Sequence, residues 1–235
     1  MRRLLPILAV ALVAAAPADA ATVDVMVVGK ERLLRAPKEV RFKQRTVKVA
    51  GRRCRVGART PLSVLAGTRL KLGIRDYASC GRDPDAAGGL YVAKVGRERE
   101  KGMGGWVYKV GRRAGTSGAA DPSGPFGTGR RLRHGQRVTW FWCRTSGSCQ
   151  RTLEVRPDRR TVARGEALRA TVRGYDDLGR GVAAAGATVR LGGATATTDA
   201  NGVAALTVGP QTGRLRLTAT QPGSVRAFPV TVEVR

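Results

Sequence analysis

Apolar residues recur at every second position in short runs of this chain, and turn-forming residues separate the runs. In ALRATVR, Leu168, Ala170 and Val172 fall on one face of an extended segment, and Arg169, Thr171 and Arg173 on the other. ATVRL repeats the pattern with Val189 and Leu191 inward and Arg190 outward, and FPVTVEV places Phe228, Val230, Val232 and Val234 on a single side. Such alternation marks half-buried antiparallel strands. Asp176-Asp177-Leu178-Gly179, Asp199-Ala200-Asn201-Gly202 and Gln221-Pro222-Gly223 supply the breaks, because they combine side chains that bond their own backbone with residues that tolerate positive φ. With AALTV and RLRLTAT this makes about six short strands, the size and spacing of an immunoglobulin-like β-sandwich over residues 153–235.

Before residue 153 the texture differs, because every cysteine, tryptophan and lysine of the chain lies there. TVDVMVV, RTVKVA, RLKLGI, GLYVAKV, GWVYKV and RVTWFW are strand candidates. One helix interrupts them: Thr60 can cap, Pro61 suits the first helical position, Leu62, Val64 and Leu65 give an apolar side, and Gly67 stops it. A short helix after a hairpin, followed by more strands, predicts a β-grasp-like α+β domain over 21–152. The expected class is therefore mainly β, with the sandwich following the β-grasp-like domain.

Residues 1–20, MRRLLPILAVALVAAAPADA, read as a signal peptide: Arg2 and Arg3, an apolar run, and Ala18-Asp19-Ala20 as a cleavage site. No later segment is long and apolar enough for a transmembrane helix. The expected location is secreted or envelope-associated. In an exported chain four cysteines are most simply two disulfides, and of the three connectivities proximity favours Cys54 with Cys80 and Cys143 with Cys149. With no C-x2-C pair and one histidine, zinc is not expected.

The 43 basic and 17 acidic residues leave a net charge of +26. The excess is concentrated, since residues 21–152 carry 29 basic against 9 acidic side chains and residues 153–235 carry 12 against 7. Clusters stand at Arg52, Arg53 and Arg55, at Arg112 and Arg113, and at Arg130, Arg131, Arg133 and Arg137. Arginine forms paired hydrogen bonds to phosphate and carboxylate, so a surface for anionic polymers of the envelope competes with a merely solvated coat. Nucleic acid would satisfy the same charges, but export argues against it as a natural partner.

Two resemblances follow from motifs. Gly89-Leu90-Tyr91-Val92, Gly105-Trp106-Val107-Tyr108-Lys109-Val110-Gly111 and Leu132 through Trp140 are similar to the transcobalamin-like C-terminal domain family, with Gln136 where that family usually has aspartate. Gly181 to Val189 and Thr198 to Ala204 resemble the bacterial Ig-like repeats of the invasin and intimin type, with Ala183 where proline is usual. The first resemblance implies an exported protein, and in transcobalamins the corresponding domain covers one side of a corrinoid. Ligand capture, of a corrinoid-like or other small molecule, is thus the alternative to envelope binding or architecture. A transcobalamin also uses a large helical domain, which this chain lacks.

Trp106 and Tyr108 share one strand face, as do Trp140 and Trp142. With Tyr91 they form either the domain core or an aromatic platform for a planar or sugar ligand. No acid, base and nucleophile converge by spacing, His134 sits in a turn beside Gly135, and no cofactor motif is present, so a non-enzyme is expected. Asp83 to Gly88 starts like a calcium loop but has Ala87 at a ligand position and Lys94 where a glutamate is needed, and reads as a turn. Ser123 to Gly129 reads as a long loop, either mobile or a binding rim.

Overall fold

The computed structural model describes residues 21–145 and 148–235. The signal-peptide reading of 1–20 lies outside the described residues. In chain order the elements of the first half are β1 (Thr22–Val28), β2 (Leu33–Arg41), β3 (Arg45–Val49), β4 (Arg52–Val56), α1 (Pro61–Gly67), β5 (Leu72–Asp76), β6 (Leu90–Val95), β7 (Glu98–Arg99), β8 (Gly105–Val110), β9 (Arg113–Ala114) and β10 (Arg137–Cys143). Helix α1 begins as its sequence dictates, with the Thr60 hydroxyl accepting from the Ser63 amide at 3.3 Å and Pro61 at the first position. The segment read as a turn at Asp83 winds into a 3-10 helix over Pro84–Gly89.

The main sheet runs β2-β1-β10-β8-β9, with β1 and β10 parallel at its centre and every other pair antiparallel. Hairpin β1–β2, helix α1 packed against it, and a later strand returning parallel to β1 make a β-grasp-like arrangement. Two smaller sheets, β3-β4 and β5-β6-β7, complete this half. Its apolar core runs from Val23 to Trp142 and includes Leu62, Val64 and Leu65 of the helix.

The second half contains β11 (Thr152–Pro157), β12 (Thr161–Val162), β13 (Ala167–Tyr175), β14 (Gly181–Ala183), β15 (Thr188–Leu191), β16 (Ala194–Thr197), β17 (Val203–Thr207), β18 (Gly213–Thr220) and β19 (Val230–Val234). One sheet joins β11, β14 and β17 to β13, and the other runs β12-β19-β18-β15-β16. Their inner faces enclose a separate core that includes Leu168, Ala170, Val172, Val189, Leu191, Leu217 and Val232. The alternation puts these residues inside, as a β-sandwich requires. Gly179, Gly202 and Gly223 take φ of 81°, 75° and 75° in the turns. Phe228 is a correction: β19 starts only at Val230, and Phe228 stands half-buried outside that core.

The two halves meet along the back of the main sheet. Val138, Trp140 and Trp142 of β10 face the first core, whereas Phe141 and Cys143 pack with Val225 of the second half. A strand covered on both faces loses its exposed polar face, which explains the run VTWFWC, apolar except for the buried Thr139. No described helix is long and apolar enough to cross a membrane.

Candidate functional site

Strands β8 and β10 set the central aromatics in register: Trp106 opposite Trp142 and Tyr108 opposite Trp140. The ring centroids lie 5.7 Å and 5.2 Å apart, and all four rings are buried. Trp106 Nε1 donates to the Glu98 carbonyl at 3.1 Å, Trp140 Nε1 to that of Pro61 at 3.2 Å, and the Tyr108 hydroxyl to that of Ser117 at 2.8 Å. Burial pushes the Tyr108 phenol up to about 12. Lys30 Nζ caps the Trp142 ring 4.1 Å from its centroid. These four rings are buried in the core and form no exposed platform, Trp106 reaching only the wall of a cleft beside β6 and β8; Tyr91 stands apart, half-exposed.

The loop around Ser123 to Gly129 closes over Tyr108 instead of forming a rim. The amide of Thr116 donates to the Pro125 carbonyl at 3.0 Å, Phe126 packs on the core, and Gly115 lies so close to the Tyr108 ring that a Cβ would collide with it.

Both disulfides form as expected, Cys54–Cys80 and Cys143–Cys149. The first ties the β3–β4 hairpin to the chain beyond the helix. The second does not staple a hairpin after RVTWFW: β11 pairs with β13 and not with β10, so the bridge pins the connection between the halves.

The arginines separate into two groups. Arg112 donates through Nε and Nη2 to both oxygens of Glu154, at 2.7 Å and 2.9 Å, and its guanidinium lies 4.5 Å from the Tyr175 ring centroid. Arg137, the first residue of β10 and not part of a turn, packs over Phe228 at 5.4 Å, and Arg113 over Phe126 at 5.1 Å. Arg112 and Arg137 therefore serve the junction. Arg130, Arg131 and Arg133 are exposed in the loop, and Arg131 Nε donates to the Pro122 carbonyl at 3.1 Å.

On hairpin β3–β4 the register places Lys48 directly opposite Arg53, and Arg55 opposite Thr46, on the exposed face, while Val47, Val49, Cys54 and Val56 face the core. Arg52 alone of this group has a carboxylate, Asp76 at 2.9 Å. The Ala78 and Cys80 amides donate to the same carboxylate, and with Arg52 they hold Asp76 below the usual range.

A mixed cleft of about 570 Å³ opens beside β6 and β8, lined by Arg75, Tyr91, Glu100, Met103 and Trp106 among others. No sequence signal joined these residues, because strand register brings them together. His134 is exposed, and its Nδ1 accepts from the Thr22 amide at 3.1 Å. Among the described residues no three His, Cys, Asp or Glu side chains group as metal ligands.

No family model and no curated protein matches the chain. A solved structure with some similarity is FdeC, described as a broadly conserved Escherichia coli adhesin, at 15% identity and a TM-score of 0.31; the match covers 94% of this chain. The chain spans 65% of the length of that structure.

Proposed function

We propose that the chain is an exported, non-catalytic binding protein of the cell envelope that engages anionic polymers through residues 21–152. In this reading that half is a transcobalamin-like C-terminal domain and residues 153–235 a bacterial Ig-like domain. One observation carries the binding role: Lys48 and Arg53 face each other across β3–β4 with Arg55 nearby, and among the described residues none of the three has an ion-pair partner. Like charges directly opposite on a sheet repel, and a phosphate or carboxylate polymer relieves that repulsion. Two disulfides support an oxidising compartment. Buried tryptophans give no support to corrinoid capture.

The test is titration of the full-length protein against a purified teichoic-type polymer at low and at physiological salt. Binding weakens steeply with salt, because exposed charges are screened beyond about 8 Å at physiological ionic strength. Joint replacement of Lys48, Arg53 and Arg55 with glutamine weakens it by about tenfold, as does joint replacement of Arg130, Arg131 and Arg133. Arg190, Arg214 and Arg216, exposed on the sandwich, form the matched control. An equal loss from that control triple, or no binding at low salt, overturns the reading.

A further inference from the structure

The cleft beside β6 and β8 is not used by the basic surface. Arg75 and Tyr91 are direct cross-strand partners, and Arg75 Nη2 lies 2.6 Å from Glu100 Oε1. Tyr77, two residues beyond Arg75, sets its ring 6.3 Å from that of Tyr91 at 59°. Met103, 65% exposed, lines the cleft, and Tyr77, 71% exposed, stands beside it against Tyr91 without being part of the lining. Gly105 keeps the wall open, since a Cβ there would approach the Tyr91 hydroxyl to 2.9 Å.

We infer that this cleft holds one pyranose ring of an acidic glycan; the envelope source of that glycan rests on the function proposed above. Its volume falls within the range of small-ligand sites. Tyr91 in the lining and Tyr77 beside it offer apolar faces against which the C–H face of a sugar can lie. Glu100 and Arg75 supply an acceptor and donors, matched to neighbouring sugar hydroxyls. A purely apolar ligand would strip water from these groups and return no hydrogen bond.

The acidic character follows from what surrounds the pair. Arg75 and Glu100 neutralise each other, whereas Lys101 lines the cleft with no ion-pair partner among the described residues. The Arg52–Asp76 ion pair and the Cys54–Cys80 bridge also pin the β3–β4 hairpin beside the turn that carries Tyr77. Arg52, next to Arg53 on that hairpin, is thereby tied to Asp76, the neighbour of the cleft residue Arg75.

Trp106 lines the cleft and reports on it by fluorescence. The full-length protein is titrated with a hexuronic-acid disaccharide and with a neutral glucose disaccharide at about 0.5 M salt, where long-range attraction is screened. The uronic disaccharide is expected to titrate the signal, with affinity falling about tenfold in Tyr77→Ala and in Glu100→Gln. The Lys48→Gln/Arg53→Gln/Arg55→Gln variant keeps that titration, so loss of polymer binding and loss of cleft binding are read separately. No titration, equal binding of the neutral sugar, or unchanged affinity in Tyr77→Ala and Glu100→Gln overturns the inference, whether or not polymer binding survives.

Discussion

The Nζ of Lys109 lies 3.2 Å from Oδ1 of Asp177, and the lysine is wholly buried between the two halves of the chain. It also donates to the carbonyls of Tyr175 and Asp176 at 3.0 Å and 2.9 Å. Strand β8 thus holds the turn after β13 by one ammonium group.

Lys109→Met leaves those acceptors without a donor and is expected to cost roughly 2–3 kcal/mol, at the low end for a broken buried pair because Asp177 keeps some contact with water. Adding Asp177→Asn recovers part of the loss. Burial pulls the Lys109 ammonium below the ordinary lysine range, against the opposing pull of Asp177. The unfolded lysine keeps its proton to higher pH than the folded one, so this group makes stability rise with pH between the two values. Urea unfolding of both proteins at several pH values checks this: the rise is absent in Lys109→Met.

Tyr108 acts in the opposite sense. Its phenol is pushed up to about 12 by burial, so between the ordinary value of 10 and that value the unfolded chain loses the proton while the folded one keeps it. Stability from this group is full below the ordinary value and is lost as pH rises through the folded one. Tyr108→Phe lowers stability at neutral pH by about 1 kcal/mol, through the lost hydrogen bond to Ser117. It also flattens the alkaline decline measured by thermal melts.

The two disulfides differ in what they close. Loop entropy gives about 3.6 kcal/mol for Cys54–Cys80 and about 2.4 kcal/mol for Cys143–Cys149. Serine pairs at the two bridges are expected to rank in that order in denaturant midpoints.

Arg112 and Arg133 look alike in sequence and differ in place. Arg112→Gln loses a forked contact to Glu154 and the Tyr175 face, and costs about 1 kcal/mol after allowance for its exposure to water. Arg133→Gln, exposed in a loop, shifts stability by less than about 0.5 kcal/mol. Melting temperatures of the two variants decide this.

Much of the fold was legible because alternation and burial coincide. ALRATVR and ATVRL bury the expected residues, and Thr60, Pro61 and Gly67 bound the helix. Strand β2 escaped notice because LLRAPKEVR carries Pro37 and charges; it is an edge strand, where proline is tolerated. Strand β4 was hidden by three arginines around Cys54. Lys109 alternates with the core-facing Tyr108 and Val110, and the face of β8 on which it stands is covered by the second half. Periodicity within one strand cannot say what lies against its other side. Arg75 and Glu100 meet only through strand register, which leaves no local mark.

The parallel pairing of β1 with β10 sets how the first half bears load. Asp24 to Val28 run beside Arg137 to Phe141, the chain enters at the start of β1, and it leaves for the second half from the end of β10. Tension applied at these two points slides the strands along their common axis, so their hydrogen bonds resist together and do not open one after another like a zipper. The Cys143–Cys149 bridge stands at the exit and shortens the slack in the connection. The first half is therefore expected to resist force along the line from its entry to its exit more than force across it.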